Sequence, residues 1–136
     1  MGKNVHDDIL DAALNHLKTN ATKLIVLTSE PTGASAYANA TKAKDSSGLK
    51  LASVAISSAD FTGPANGDTS GRKIAVNAQS SISIDGVASS SSATHVCAVD
   101  DSSSAVLYTT TCTSQNLTGG NKVNTPAWDI EIRDPA

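Results

Sequence analysis

Residues 72–85 decide the fold class: Arg72-Lys73-Ile74-Ala75-Val76-Asn77-Ala78-Gln79-Ser80-Ser81-Ile82-Ser83-Ile84-Asp85. Ile74, Val76, Ala78, Ile82 and Ile84 fall on one face, and Lys73, Asn77, Gln79, Ser81, Ser83 and Asp85 on the other. A period of two is the signature of a half-buried strand, since successive strand side chains point to opposite faces. The stretch therefore predicts one long strand or two strands in register. Working outward, Lys23–Thr28, Leu49–Ile56, Thr94–Val99, Val106–Cys112 and Trp128–Arg133 carry the same kind of pattern. Pro126 stands just before the last of these, where a missing backbone donor does little harm. Turn signals lie between them at Glu30-Pro31-Thr32-Gly33, Gly63–Asp68, Gly86–Ser92 and Asp101–Ser104. About seven short strands separated by such signals predict a mainly β fold, an antiparallel sandwich or jelly roll.

The N-terminal segment is different. Ile9, Leu10, Ala13, Leu14 and Leu17 recur at helical spacing, with Asp11, Asn15 and Lys18 facing away. Asn4 is a candidate cap, Asp7 and Asp8 favour the positive end of the helix dipole, and Lys18 favours the negative end. One amphipathic helix must cover a sheet or a neighbour to be stable. Residues 33–48, rich in Ala, Ser and Lys, show little pattern and predict a loop. At 136 residues the chain suits a single domain: a helical arm over 1–20, a strand at 23–28, the loop at 33–48, and the bulk of the sandwich over 49–136.

Composition narrows the function classes. Aromatic residues are 3% of the chain and the apolar fraction is 39%, leaning on Ala and Val, so each core residue buries modest apolar area. That predicts modest stability as a monomer and an oligomer or host surface that adds to it. A net charge of −3 gives no basic face for nucleic acid or for an anionic membrane. Met1–His6 lacks the basic start and apolar run of a secretory signal, and Leu24–Leu27 is far too short to span a bilayer.

No catalytic, cofactor or metal site emerges from the motifs. His6, His16 and His95 lack a second ligand at metal spacing. Serines occur in runs, 89–92 and 102–104, without a nucleophile elbow. Asp100-Asp101 and Asn66–Gly71 could be read as calcium loops, but turn-favouring acids and glycines explain them more simply. The two cysteines, Cys97 and Cys112, fit neither a zinc nor a redox pattern. With a turn at 101–104, Val99 faces Val106, Cys97 faces Tyr108, and Cys112 lies about 13 Å farther along at strand rise. An intrachain bridge needs Cα atoms within roughly 7 Å. The thiols are thus expected to be free or to bridge to another subunit.

Three stretches of the C-terminal third, Ala93–Asp101, Leu107–Gln115 and Asn124–Ile132, together resemble small structural proteins of tailed-phage virions, of the head decoration or cement type. The helix Asp8–Leu17 with the strand after it and Ser29-Glu30-Pro31-Thr32, and the segment Gly67–Lys73, look similar too. The resemblance implies a structural, non-enzymatic protein made in many copies in the bacterial cytoplasm and carried in the virion. Its implied partners are the major capsid protein or other virion proteins, and copies of itself. Such proteins bridge coat subunits through amphipathic helices, strand edges and loops that order on contact. On that basis Ile9, Leu10, Leu14 and Leu17 are the candidate partner-binding residues, and Cys97 and Cys112 candidates for an intersubunit disulfide. The alternative role is a head–tail connector, or a tail, head-fibre or receptor-binding component of the same particle.

Overall fold

The computed structural model describes residues 2–136. It is mainly β, with antiparallel sheets and one N-terminal helix. Helix α1 spans Asp7–Asn20. Its cap is His6 and not Asn4: the His6 ring Nδ1 accepts from the Asp8 backbone N–H at 3.2 Å. The helix starts too late for Asn4 to reach its first free donors. Leu10, Leu14 and Leu17 are buried, whereas Ile9 is 64% exposed. Three of the four residues expected to meet a partner therefore pack into the chain's own core. Bidentate hydrogen bonds from Arg72 to Asp11, at 2.7 and 3.0 Å, pin the helix to the first strand of the 72–85 segment. Lys18 Nζ donates to the Gly63 carbonyl at 2.9 Å, so it anchors a tertiary contact as well as ending the helix.

The first layer is a four-stranded sheet in the order β2-β1-β6-β7, built from β1 (Lys23–Leu27), β2 (Lys50–Ala55), β6 (Ser90–Asp100) and β7 (Ala105–Thr118). The aliphatic run Leu24–Leu27 is buried on both faces because β1 lies inside the sheet between two covering layers. On one side Ile25, Leu27, Cys97 and Val99 pack with Ala40 and the half-buried Tyr37, Leu49 and Val106. Thus residues 33–48 are not a patternless loop. They hold a short helix α2 (Ala36–Thr41) and a 3-10 turn (Lys44–Ser46) that roof this face. The roof is tied down by backbone hydrogen bonds from Leu49 to Asn39 and from Lys50 to Lys42, both 2.9 Å.

The second layer comes from β3 (Phe61–Asn66), β4 (Arg72–Val76), β5 (Gln79–Ser83), β8 (Lys122–Thr125) and β9 (Trp128–Ile132). The 72–85 stretch is two strands, as its alternation allowed. β4 pairs with β9 and β5 with β8, and the registers Val76↔Trp128 and Gln79↔Thr125 are continuous across the break. Asn77-Ala78 and Pro126-Ala127 therefore bend one long antiparallel pair at a shared point. β3 lies where a turn was expected over Gly63–Asp68. It is an edge strand with a cis Gly63–Pro64 bond and a register break between Thr62 and Ala65, so proline interrupts no regular ladder. Buried Leu14, Leu24, Ile74, Val76, Val96 and Ile130 join α1 to both layers in one cluster. Val26, Ala52, Ile82, Ile84 and Leu117 form a second cluster under the β5–β8 half.

One side of the sandwich is closed. The Ala52↔Ile84 bridge and two hydrogen bonds from Asp85 and Gly86 to the Leu51 carbonyl stitch β5 to β2. The opposite side is open, since β7 pairs only with β6, and β8 and β9 pair only with β5 and β4. No helix among the described residues is long and apolar enough to cross a membrane.

Candidate functional site

The open side carries a cleft of about 530 Å³ between β7 and the β8–β9 strand. Its floor is apolar, with Val26, Val96, Leu117 and Val123, and its rim carries hydroxyls and amides from Thr110, Thr113, Gln115 and Asn124. Thr125 and Trp128 stand on the far wall, on either side of the Pro126-Ala127 bend. Thr125 is only 6% exposed. Neither its Oγ1 nor the Trp128 indole Nε1 has a hydrogen-bond partner among the described residues. Buried polar atoms are nearly always satisfied, because an unmade hydrogen bond there costs about 1–3 kcal/mol. Both residues line the one cleft, so unspent hydrogen-bonding capacity lies just beneath its wall. Asp129, the one charged residue of the lining, is bonded to Lys73 Nζ at 3.0 Å. Lys73, also bonded to Asp68, has its pKa raised to about 12 by these carboxylates.

The sequence features singled out as candidates lie elsewhere. Asp100 and Asp101 close the β6–β7 hairpin. The Ser102 and Ser103 hydroxyls donate to Asp100 and hold its carboxyl down at about 2. Asp101 pairs with Lys23 at 2.9 Å and accepts from the Tyr37 hydroxyl at 2.7 Å, which lowers its pKa and raises that of the tyrosine. Both carboxylates are thus used by the turn and by the roof that α2 makes. His95 sits mid-strand with its Nδ1 2.8 Å from the Thr94 hydroxyl. Among the described residues, no three His, Cys, Asp or Glu side chains are grouped to hold a metal.

The hairpin register differs from the expected one beyond Val99↔Val106. A bulge at Leu107 places Tyr108 opposite Ala98 and Thr109 opposite Cys97. A second irregularity between Ala93 and His95 leaves Cys112–Ser114 as a bulge outside the ladder. Both thiols are free. Cys97 is buried, and desolvation pushes its pKa up to about 12, so it cannot reach another subunit. Cys112 is exposed at the cleft rim and is the one thiol placed for an intersubunit bridge. A thiol reagent added to native protein is expected to label Cys112 at least about tenfold faster than Cys97, since access and thiolate fraction both favour it. Equal rates would mean that the β1–β6 interior opens freely.

Sequence reasoning passed over the cleft because it joins residues 110–117 to residues 123–129 across two layers. One signal was present: β7 contains no charged residue and no proline along Ala105–Thr118. Compared with protein-family models, with curated proteins and with solved structures, the chain matches none. Its class is therefore stated from its own geometry, an antiparallel two-layer β protein with one N-terminal helix and an open side.

Proposed function

We propose that this protein is a structural, non-enzymatic component of a tailed-phage virion that fastens to the capsid shell as a cement or decoration protein. The observation that carries this is the outer edge of β7. It runs for 14 residues without a partner strand, a charge or a proline. Proteins that stay apart usually blunt such an edge with lysine, proline or a covering element, and a neutral edge is a ready template for another chain. The bulge at Cys112–Ser114 divides the edge into two paired stretches, Ala105–Thr111 and Gln115–Thr118. The hydroxyl-rich composition and the resemblance of residues 93–132 to virion structural proteins support the same reading. Repetition of weak edge contacts over a shell gives high avidity without a strong single contact. Ile9, the large apolar side chain exposed on the outer face of α1, supplies a second small contact.

Particles assembled without this protein can be mixed with purified chain to test this. The wild type should bind in many copies over the shell, and the Ser114→Lys/Asn116→Lys variant should bind at least roughly tenfold more weakly, because two charges now occupy the edge. Both positions are exposed and outside the cleft lining, so the circular dichroism should not change. Full decoration by the variant would discard the edge as the contact. Binding confined to a single vertex or to the tail would favour a connector or fibre component over cement.

A further inference from the structure

The cleft on the open side offers more than an edge, and three observations converge on it. Its mouth is flanked by β7 and by β8–β9, each paired on one side only, so unpaired backbone donors and acceptors border the opening on both sides. Its wall holds two buried polar atoms with nothing to bond, Thr125 Oγ1 and Trp128 Nε1. Its one acid, Asp129, is bonded to Lys73, which Asp68 shares. An occupant must be elongated to follow two strands, and it gains most by giving partners to the indole N–H and the hydroxyl, which lie beneath the wall and must turn toward it. The occupant must also bring no charge to the apolar floor, because a charge there would lose its water.

We infer that the cleft accepts an uncharged, extended polypeptide segment of a partner chain as an added strand between β7 and β9. A peptide carbonyl of that segment accepts from Trp128 Nε1. Its backbone also meets Thr125 Oγ1, and alternate small apolar side chains settle on Val96, Leu117 and Val123. The volume of about 530 Å³ lies within the range of about 300–1,000 Å³ typical of ligand-holding clefts. This rests on the proposed role as a protein-binding coat component and names the chemistry of the partner.

Trp128 is the single tryptophan of the chain, so its emission reports on the cleft directly. The probe is a blocked peptide of alternating valine and threonine, titrated into the full-length protein. A saturable shift of the emission is expected, and a peptide with lysines in place of the threonines should bind at least about tenfold more weakly. Thr125→Val keeps the side-chain shape and removes the orphaned hydroxyl. It should raise the Tm of the free protein while weakening the peptide at least about fivefold, opposite effects that a purely structural threonine would not give. Trp128→Phe, followed by calorimetry, should weaken the peptide similarly. An unchanged emission, equal binding of the lysine peptide, or full affinity in Thr125→Val would each overturn the inference. So would saturation by a neutral oligosaccharide such as maltotriose in place of the peptide. Peptide binding is read on the free protein and shell binding on particles, so a peptide that binds while the shell stays bare overturns the coat role alone, and a decorated shell with no peptide binding overturns the cleft alone.

Discussion

Leu14→Ala is expected to lower the unfolding free energy by about 2–5 kcal/mol, the cost of deleting a buried leucine and leaving a cavity that neighbours only partly fill. Leu14 is 2% exposed and is held among Leu24, Ile74 and Val96, which belong to both layers of the sandwich. The rest of the cluster is largely Leu, Ile and Phe with smaller Val and Ala, side chains already fixed by packing that fill the gap only in part. A domain of this size holds roughly 5–15 kcal/mol in total, so the loss is a large share of it. Urea titration should show a lower midpoint with an unchanged slope. A loss below about 1 kcal/mol would mean that α1 is loosely attached and free to serve as an arm. The same burial changes how a truncation must be interpreted. Removing residues 1–20 strips Leu10, Leu14 and Leu17 from the core, so any loss of particle binding would report unfolding before it reported a missing contact.

Gly86→Ala is expected to be as damaging, by a different route. Gly86 is buried, and a Cβ there would collide with the Lys50 carbonyl oxygen and press on the Leu51 Cα at 3.0 Å. Both are backbone atoms of β2, the strand that the Gly86 N–H itself bonds through the Leu51 carbonyl at 2.9 Å. Relief requires the closed seam of the sandwich to part. Overpacking of this kind costs about 1–3 kcal/mol, and the lost seam hydrogen bonds add to it. Hydrogen exchange should show faster opening at Asp85 and Gly86 than in the wild type, with a lower urea midpoint. Unchanged exchange at these amides would mean that the seam has room to spare.

Much of the fold is legible in the sequence where one physical signal dominates. The alternation of residues 72–84 and of 128–132 gives β4, β5 and β9, and the stripe from Ile9 to Leu17 gives α1. Other segments are set by partners distant in the chain. Ala36–Thr41 is too short for helical periodicity, and its place is fixed by Tyr37 reaching Asp101 and by Ala40 packing on Ile25 and Leu27. β3 contains Gly63-Pro64, which reads as a turn until β4 supplies the edge against which it pairs. Lys122–Thr125 has too few residues to alternate visibly, so β8 emerges only through its pairing with β5. The helix stripe was legible as apolar but not as inward-facing, since a sheet and a neighbour demand the same pattern. The cleft was hidden for a further reason: whether Thr125 and Trp128 find partners depends on two layers meeting, and no local pattern encodes it.

The central place of β1 has a consequence for how the chain is made. Leu24–Leu27 leaves the ribosome well before one of its two flanking strands, β6, which ends at Asp100. Until synthesis reaches that point, four consecutive aliphatic residues have one neighbour at most, and contacts between segments so far apart in sequence form slowly. The nascent protein must therefore carry this aliphatic segment half-covered until β6 emerges, so that yield in the cell is set by how well that stretch is shielded before the hairpin of β6 and β7 arrives to enclose it.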